Sequence, residues 1–200
     1  PQSVTVVTRQ RLDDQNITNL TGLLEQTPGV VVNFTDSERV QYFSRGYAID
    51  AIQYDGATVA QGSGNGTFVQ SDSAIIDRAE ILRGATGMLR GDGNPSGTVN
   101  LVRKRPTYEF QGEGNVTLGS WDAQRYVADL SGPLTGTGNV RGRVIAVHDD
   151  KDLFQDSRQE RKDVLYGVLT FDLNDSTTLT TGLEWTQLDA TGAWGNLPAN

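Results

Sequence analysis

Apolar and polar residues alternate along most of the second half of the chain. In one segment Tyr126, Ala128 and Leu130 occupy every second position, with Arg125 and Asp129 between them. Because successive side chains of an extended strand point to opposite faces, each such segment has one apolar and one polar face. The pattern predicts five antiparallel β-strands, near residues 109–119, 123–134, 139–151, 162–173 and 177–189.

The connections between these strands alternate in length. Thr135–Gly138 and Asn174–Asp175 are tight turns, whereas Asp152–Arg161 is a longer charged loop. Each strand is long enough to cross a bilayer when tilted, and short turns opposite longer loops are typical of outer-membrane barrels. A soluble antiparallel sheet with one buried face has the same period. Charge well inside the polar faces, as at Arg141 and Glu184, favours strands that line a wet lumen.

The first half of the chain mixes helical and strand patterns. Leu20, Leu23 and Leu24 recur at helical spacing, and either Thr18 or Asn19 is placed to cap that helix. The Thr-Pro-Gly sequence that follows ends it. Short strands are expected near residues 4–7, 30–34, 41–44, 51–54, 75–82 and 98–103, separated by glycine-rich loops. The pattern predicts a compact α+β domain over residues 1–106, a small mixed sheet with short helices, followed by a second domain over residues 107–200.

Composition excludes several classes of site. The net charge of −8 argues against a nucleic-acid groove, and the absence of cysteine excludes disulfides and thiolate metal sites. The sequence contains no apolar run of the roughly 20 residues that a membrane helix requires. Its first residues lack the pattern of a signal peptide, so we expect a mature or trimmed start.

Catalytic motifs are also absent from the sequence. His148 and Asp149 are the one conceivable acid–base pair, and no Gly-x-Ser-x-Gly nucleophile motif accompanies them. The glycines at 91 and 93 lack the strand–turn–helix context of a dinucleotide or phosphate loop. We therefore expect a protein that is not an enzyme, with His148 at a barrel rim.

Residues 77–106, DRAEILRGATGMLRGDGNPSGTVNLVRKRP, closely resemble the end of the plug domain of TonB-dependent outer-membrane siderophore receptors. The opening segment PQSVTVVTRQRLDDQNITNLTGLLEQTPGV and the segment YFSRGYAIDAIQYDG resemble the same family in the same order. Ser44–Tyr47 and the GATGMLRGDGNP stretch are most similar to receptors for hydroxamate siderophores of the coprogen, ferrichrome and pyoverdine kind.

This resemblance implies an α+β plug seated inside a transmembrane β-barrel of about 22 strands. Residues 1–106 would be the plug, and residues 107–200 would supply the first five or so strands of an incomplete barrel. The chain would then be a segment that lacks the signal peptide, the amino-terminal TonB box and most of the strands.

The resemblance further implies transport without covalent chemistry. A ferric siderophore would bind from outside and pass to the periplasm, with energy from the TonB–ExbB–ExbD complex, in a protein surrounded by outer-membrane lipid. Iron would stay in its chelate, so neither a cofactor nor a protein metal site is expected.

The same resemblance implies two sets of site residues. Ligand contacts are expected in apical plug loops and one barrel loop, at Arg45, Tyr47, Gln61, Phe68, Met88, Leu89, Arg90 and Trp194. Ionic contacts between plug and barrel are expected at Arg78, Glu80 and Arg83, and Trp121 is expected in an interfacial aromatic belt. Two alternatives stay open: the same fold with haem, cobalamin or a glycan as cargo, and a soluble β-rich adhesion or carbohydrate-binding module.

Overall fold

The structure, a computed structural model, describes residues 3–34, 40–49, 51–58, 71–84, 96–153 and 158–192. Within these ranges the chain forms two compact units, the first ending at Lys104 and the second beginning at Arg105. The sequence-based domain boundary at Pro106 lies close to this division. No helix in the described ranges is long and apolar enough to span a membrane.

The first unit contains two small sheets and two short helices. Its elements are β1 Ser3–Thr8, α1 Arg9–Asp14, α2 Leu20–Glu25, β2 Val30–Phe34, β3 Val40–Ser44, β4 Tyr47–Ala48, β5 Ala51–Tyr54, β6 Ala57–Thr58, a 3-10 turn Ser73–Ile75, β7 Ile76–Arg83 and β8 Gly97–Arg103. The larger sheet has the order β1-β7-β8-β5-β6, with β5 and β8 parallel, and the smaller has the order β2-β3-β4. This mixed α+β architecture confirms the predicted fold class.

The core of this unit forms between the helices and the larger sheet. Buried leucines from α1 and α2 and buried aliphatic residues of β7 and β8 make up most of it, among them Leu12, Leu20, Leu23, Leu24, Ala79, Ile81, Val99 and Leu101. Asn19, rather than Thr18, caps α2: its side chain accepts the Gly22 N–H at 2.8 Å.

Helix α1 was not predicted from the sequence, because Leu12 is its single buried residue and leaves no visible period. A side-chain contact to the sheet region fixes it instead. Arg9 donates to the Ile76 carbonyl at 2.7 Å and also binds Asp13 one turn on. The Thr8 side chain caps the helix by accepting from the Arg11 N–H.

Arg83 joins three separate parts of the first unit. From the end of β7 its guanidinium donates to the Pro28 carbonyl and to Thr5 Oγ1, the latter at 3.1 Å. Gly29 makes room for this contact: a Cβ there would lie 2.6 Å from Arg83 Nη1, and its φ of +78° already favours glycine. Arg83 therefore connects the loop that follows α2 to the larger sheet by hydrogen bonds.

The second unit is a single antiparallel sheet in sequence order. Its strands are β9 Gln111–Leu118, β10 Gln124–Pro133, β11 Val140–Asp152, β12 Gln159–Asn174 and β13 Thr177–Thr191. All five predicted strands are confirmed, and β11, β12 and β13 extend beyond the predicted ranges, so the predicted charged loop 152–161 is partly strand. Within the described residues, β9 and β13 each pair on one side alone, so the sheet is open at both edges.

The two faces of this sheet differ sharply in chemistry. One, the apolar face, exposes large hydrophobic side chains, with Leu183 at 74% and Leu118 at 71% exposure. Other members of this face are Val116, Tyr126, Leu130, Val144, Leu165, Leu169, Leu179 and Trp185. The opposite, charged face carries buried polar residues, namely Arg125, Asp129, Ser131, Arg141, Asp149, Lys162 and Thr170. The apolar side is thus the exposed one, the reverse of a soluble sheet with one buried face.

The charged face is more mixed than the sequence interpretation suggested. Between its ion pairs lies a buried aliphatic and aromatic patch formed by Ile145, Val147, Val164, Tyr166 and Val168. Strand register places Ile145 opposite Tyr166 and Val147 opposite Val164 on β11 and β12. The alternation of period two therefore assigns each residue to the correct face. It does not show that charged and apolar side chains both occur along the charged face.

Substituting Gly29 tests the Arg83 contact. Gly29→Ala should destabilise the first unit more than Gly46→Ala, a matched control with a φ of +82° and nothing within 4 Å of its Cβ position. The control reports backbone strain of about 1 kcal/mol. The excess for Gly29→Ala, about 1 kcal/mol or more, reports the hydrogen bonds that Arg83 loses. Native-state hydrogen exchange at β1 and β2 amides measures both, and equal effects would contradict the assignment.

Candidate functional site

A tight hairpin presents two of the predicted ligand-binding residues. Arg45 and Gly46 link β3 to β4 with φ values of +55° and +82°. Two consecutive positive φ values are the mark of a two-residue hairpin turn, whose twist matches that of its strands. The turn exposes Arg45, and Tyr47 beside it is 52% exposed. The structure thus places Arg45 and Tyr47, both exposed, at one hairpin tip.

The other predicted ligand contacts cannot be placed in this way. Gln61, Phe68, Met88, Leu89, Arg90 and Trp194 lie outside the described residues. Their roles stay predictions, as does ligand contact by Arg45 and Tyr47.

A hydrogen-bonded network crosses the larger sheet of the first unit. Glu80 accepts from Arg78 Nε at 2.9 Å and from Asn100 Nδ2, on the adjacent strand, at 3.0 Å. Asn100 Oδ1 in turn accepts the Gly56 N–H at 2.9 Å. Arg78 and Glu80 were predicted as site residues from the sequence, whereas Asn100 was not, because strand register alone brings it beside Glu80.

This network shifts the ionisation of its members. The hydrogen bond from Asn100, and then that from Arg78, hold the pKa of the Glu80 carboxyl below its ordinary value. The Glu80 carboxylate raises the pKa of Arg78 further above neutrality. Both groups are therefore charged at physiological pH, as an ionic contact requires.

The three residues predicted to form ionic contacts between plug and barrel differ in their surroundings. Arg78 and Glu80 are partly exposed and bind each other, whereas Arg83 is bound to Pro28 and Thr5 of its own unit. Arg83 thus has a structural role in the first unit that sequence reasoning did not find. Ionic contact of these residues with barrel strands stays a prediction.

Ion pairs connect neighbouring strands on the charged face of the second unit. Arg125 binds Asp149 at 3.0 Å, and Arg143 binds both carboxylate oxygens of Asp129 at 2.8 and 2.6 Å. Because these pairs are buried, loss of one partner would leave an uncompensated charge. The charged face therefore specifies the register in which β10 and β11 meet.

His148 and Asp149 do not form a pair, because they lie on opposite faces of β11. His148 Nδ1 lies 2.6 Å from Asp163 on β12, and its ring stacks near Tyr126 on the apolar face. Asp149 faces the other way, toward Arg125. The structure thus removes the one acid–base pair that the sequence suggested. Within the described ranges, His, Asp and Glu form no cluster of three that could hold a metal ion.

Comparison with known proteins identifies similar chains. The profile of the family described as TonB-dependent Receptor Plug Domain matches residues 1–98. The ferripyoverdine receptor of Pseudomonas aeruginosa is 45% identical over 99% of this chain and 25% of its own length. The ferric-pyoverdine 358 receptor of Pseudomonas putida is 44% identical over 98% of this chain and 24% of its own length. The chain thus spans about a quarter of the length of these curated relatives.

Solved structures give the same picture. The crystal structure of the Pseudomonas aeruginosa outer-membrane ferripyoverdine receptor bound to ferripyoverdine matches with a TM-score of 0.89 and 45% identity, over 96% of this chain and 26% of that one. The alcaligin outer-membrane receptor of Bordetella pertussis matches with a TM-score of 0.80 and 42% identity, over 94% of this chain and 32% of that one. Both units of the chain share in these matches, given the coverage.

Removing the Asn100 side chain should raise the pKa of Glu80. Asn100→Ala deletes the larger of the two hydrogen bonds that favour the carboxylate, at a cost of about 1 kcal/mol. The folded pKa of Glu80 lies below the unfolded value, so its contribution to stability is present above about pH 4.3 and is lost as the pH falls through the folded pKa. In Asn100→Ala this loss should occur at higher pH.

Carboxyl-carbon NMR of glutamate-labelled protein measures this titration. Thr58→Ala, which affects a hydrogen bond with Gln53 in the same sheet, is the matched control and should leave Glu80 unchanged. An unaltered Glu80 titration in Asn100→Ala would refute the role given to Asn100.

Proposed function

We propose, from the match of residues 1–98 to the TonB-dependent Receptor Plug Domain family, that the whole protein is an outer-membrane receptor for a ferric siderophore. It binds the loaded siderophore at the cell surface and imports it into the periplasm. The first unit is the plug, and the second unit is the beginning of the surrounding barrel. The protein acts as a receptor and transporter rather than as an enzyme.

The observation that carries this proposal is the inverted sheet of the second unit. Its large hydrophobic side chains are exposed and its charged side chains are buried. A continuous apolar face of this kind is an aggregation hazard in water but matches the hydrocarbon region of a bilayer. The soluble adhesion or carbohydrate-binding alternative requires the opposite arrangement and is not favoured.

The identity of the relatives supports a pyoverdine-like siderophore as the ligand. Relatives at 44–46% identity are named as ferripyoverdine or ferric-pyoverdine receptors. In such a ligand, iron is held by the siderophore oxygens, so the protein has to recognise an organic shell through hydrogen-bond donors and aromatic surface. The hairpin tip of Arg45 and Tyr47 offers one of each. No relative cited above is named as a receptor for haem, cobalamin or a glycan, so these cargoes are less well supported.

Energy for import is proposed to come from a TonB–ExbB–ExbD complex acting on the plug. The family name of residues 1–98 supports this partner. In this scheme iron is cargo and the protein carries no resident cofactor. The partly exposed Arg78–Glu80 pair is proposed to contact barrel strands and to separate when the plug rearranges.

Binding of ferric pyoverdine to the full-length protein tests the proposal. We expect cells that make the full-length protein to bind iron-loaded pyoverdine and to accumulate its iron. Recognition requires the shape that the siderophore adopts when it is wrapped around iron. Arg45→Asn should weaken binding about tenfold, because it removes charged hydrogen bonds of about 1.5–3 kcal/mol while keeping a residue that tolerates positive φ.

Arg11→Asn is the matched control, since it removes an exposed arginine of α1 whose guanidinium donates to Gln15 of the same segment. Its affinity should stay within twofold of the unmodified protein. Failure of the unmodified protein to bind any ferric hydroxamate siderophore would refute the function. Equal affinity of Arg45→Asn and the control would refute the role of Arg45.

A further inference from the structure

The short segment between the two units is held against the second unit by side chains of the charged face. Arg105–Phe110 connects the end of β8 to the start of β9 and contains no regular secondary structure. A connecting segment of this kind is ordinarily mobile, because few contacts restrict it. Here three residues of the segment, Arg105, Thr107 and Tyr108, have defined partners.

The first two attachments are hydrogen bonds. Arg143 Nη1 donates to the Arg105 carbonyl at 3.0 Å. Ser131 Oγ accepts the Thr107 N–H at 2.8 Å and also hydrogen-bonds with the Thr107 hydroxyl at 2.8 Å. Ser131 is buried, and Arg143 is held in place by Asp129, so both partners are rigid.

The third attachment connects the segment to the end of the sheet at which β11 begins and β12 ends. The Arg141 guanidinium lies 3.9 Å from the centroid of the Tyr108 ring, a cation–π contact. Arg141 also donates to the Gly138 carbonyl and to both carboxylate oxygens of Asp172, which in turn accepts from Thr178. Tyr108 is therefore linked to β11, β12 and β13 through one buried arginine.

The residues just before the segment are bound within the first unit. The Lys104 N–H donates to the Ile75 carbonyl at 2.8 Å, and Arg103 forms an ion pair with Asp55 at 2.8 Å. The last residue bound within the first unit and the first bound within the second are thus consecutive in sequence.

We propose that Arg105–Phe110 is a fixed anchor and that plug rearrangement during import is confined to residues upstream of Lys104. One residue spans about 3.5 Å at full extension, so a larger rigid displacement of the plug must break either the Lys104–Ile75 bond or the three attachments. With the anchor closed, a displacement of the first unit beyond that length therefore has to begin with separation of Lys104 from Ile75. This inference rests on the proposed function.

A disulfide between Thr107 and Ser131 tests whether the anchor stays closed. Their side-chain oxygens lie 2.8 Å apart, which suits a disulfide. In cells that make the full-length protein, Thr107→Cys combined with Ser131→Cys should import iron from ferric pyoverdine within twofold of the unmodified rate, both oxidised and reduced. Import that is lost on oxidation and restored by a reductant would contradict the proposal that the anchor stays closed.

Hydrogen exchange of the full-length protein tests the same anchor without a ligand. The Thr107 amide should be protected, and Ser131→Ala should accelerate its exchange at least tenfold. Ser176→Ala, in the turn between β12 and β13, should leave it unchanged. A Thr107 amide that exchanges at the unprotected rate in the unmodified protein would overturn the anchor. Absence of import by the unmodified protein would instead count against the proposed function. The exchange rate of the Thr107 amide would then still show whether Arg105–Phe110 is bound to the second unit.

Discussion

The structure depends on one constraint: the apolar face and the charged face of the second sheet must lie in different surroundings. Strand register allows no compromise, because a slip of one residue would exchange the two faces completely. Leu130 and Leu165 lie exposed on one face, while Arg125 and Asp149 lie buried on the other. A bilayer on the apolar side satisfies this arrangement, and water on that side does not.

Buried ion pairs enforce that register more than they stabilise the sheet. Taking Arg143 and Asp129 out of water costs free energy that their mutual attraction largely offsets, whereas separating them would leave two unpaired buried charges. The same two strands also hold the connecting segment, since Ser131 and Arg143 bind Thr107 and Arg105. The register of the second sheet and the position of the connecting segment therefore depend on overlapping side chains.

Sequence patterns predicted the regular parts of this molecule well. Alternation located all five strands of the second unit, and the leucine spacing located α2, because each signal is local. Contacts between distant residues could not be read in this way: Arg83 with Pro28, Asn100 with Glu80, and His148 with Asp163 rather than its neighbour Asp149. These pairs arise from strand register and side-chain reach, which no local pattern encodes. Of the predicted ligand contacts, the described residues include Arg45 and Tyr47.

Site-directed spin labelling along β12 tests the central claim most directly. In full-length protein reconstituted into a bilayer, nitroxides at odd-numbered positions from 165 to 169 should be accessible to oxygen, which partitions into lipid, and shielded from a water-soluble nickel chelate. Labels at positions 164, 166 and 168 should be poorly accessible to oxygen. Odd-numbered positions that the nickel chelate reaches freely, or the absence of any alternation, would contradict a membrane-facing sheet.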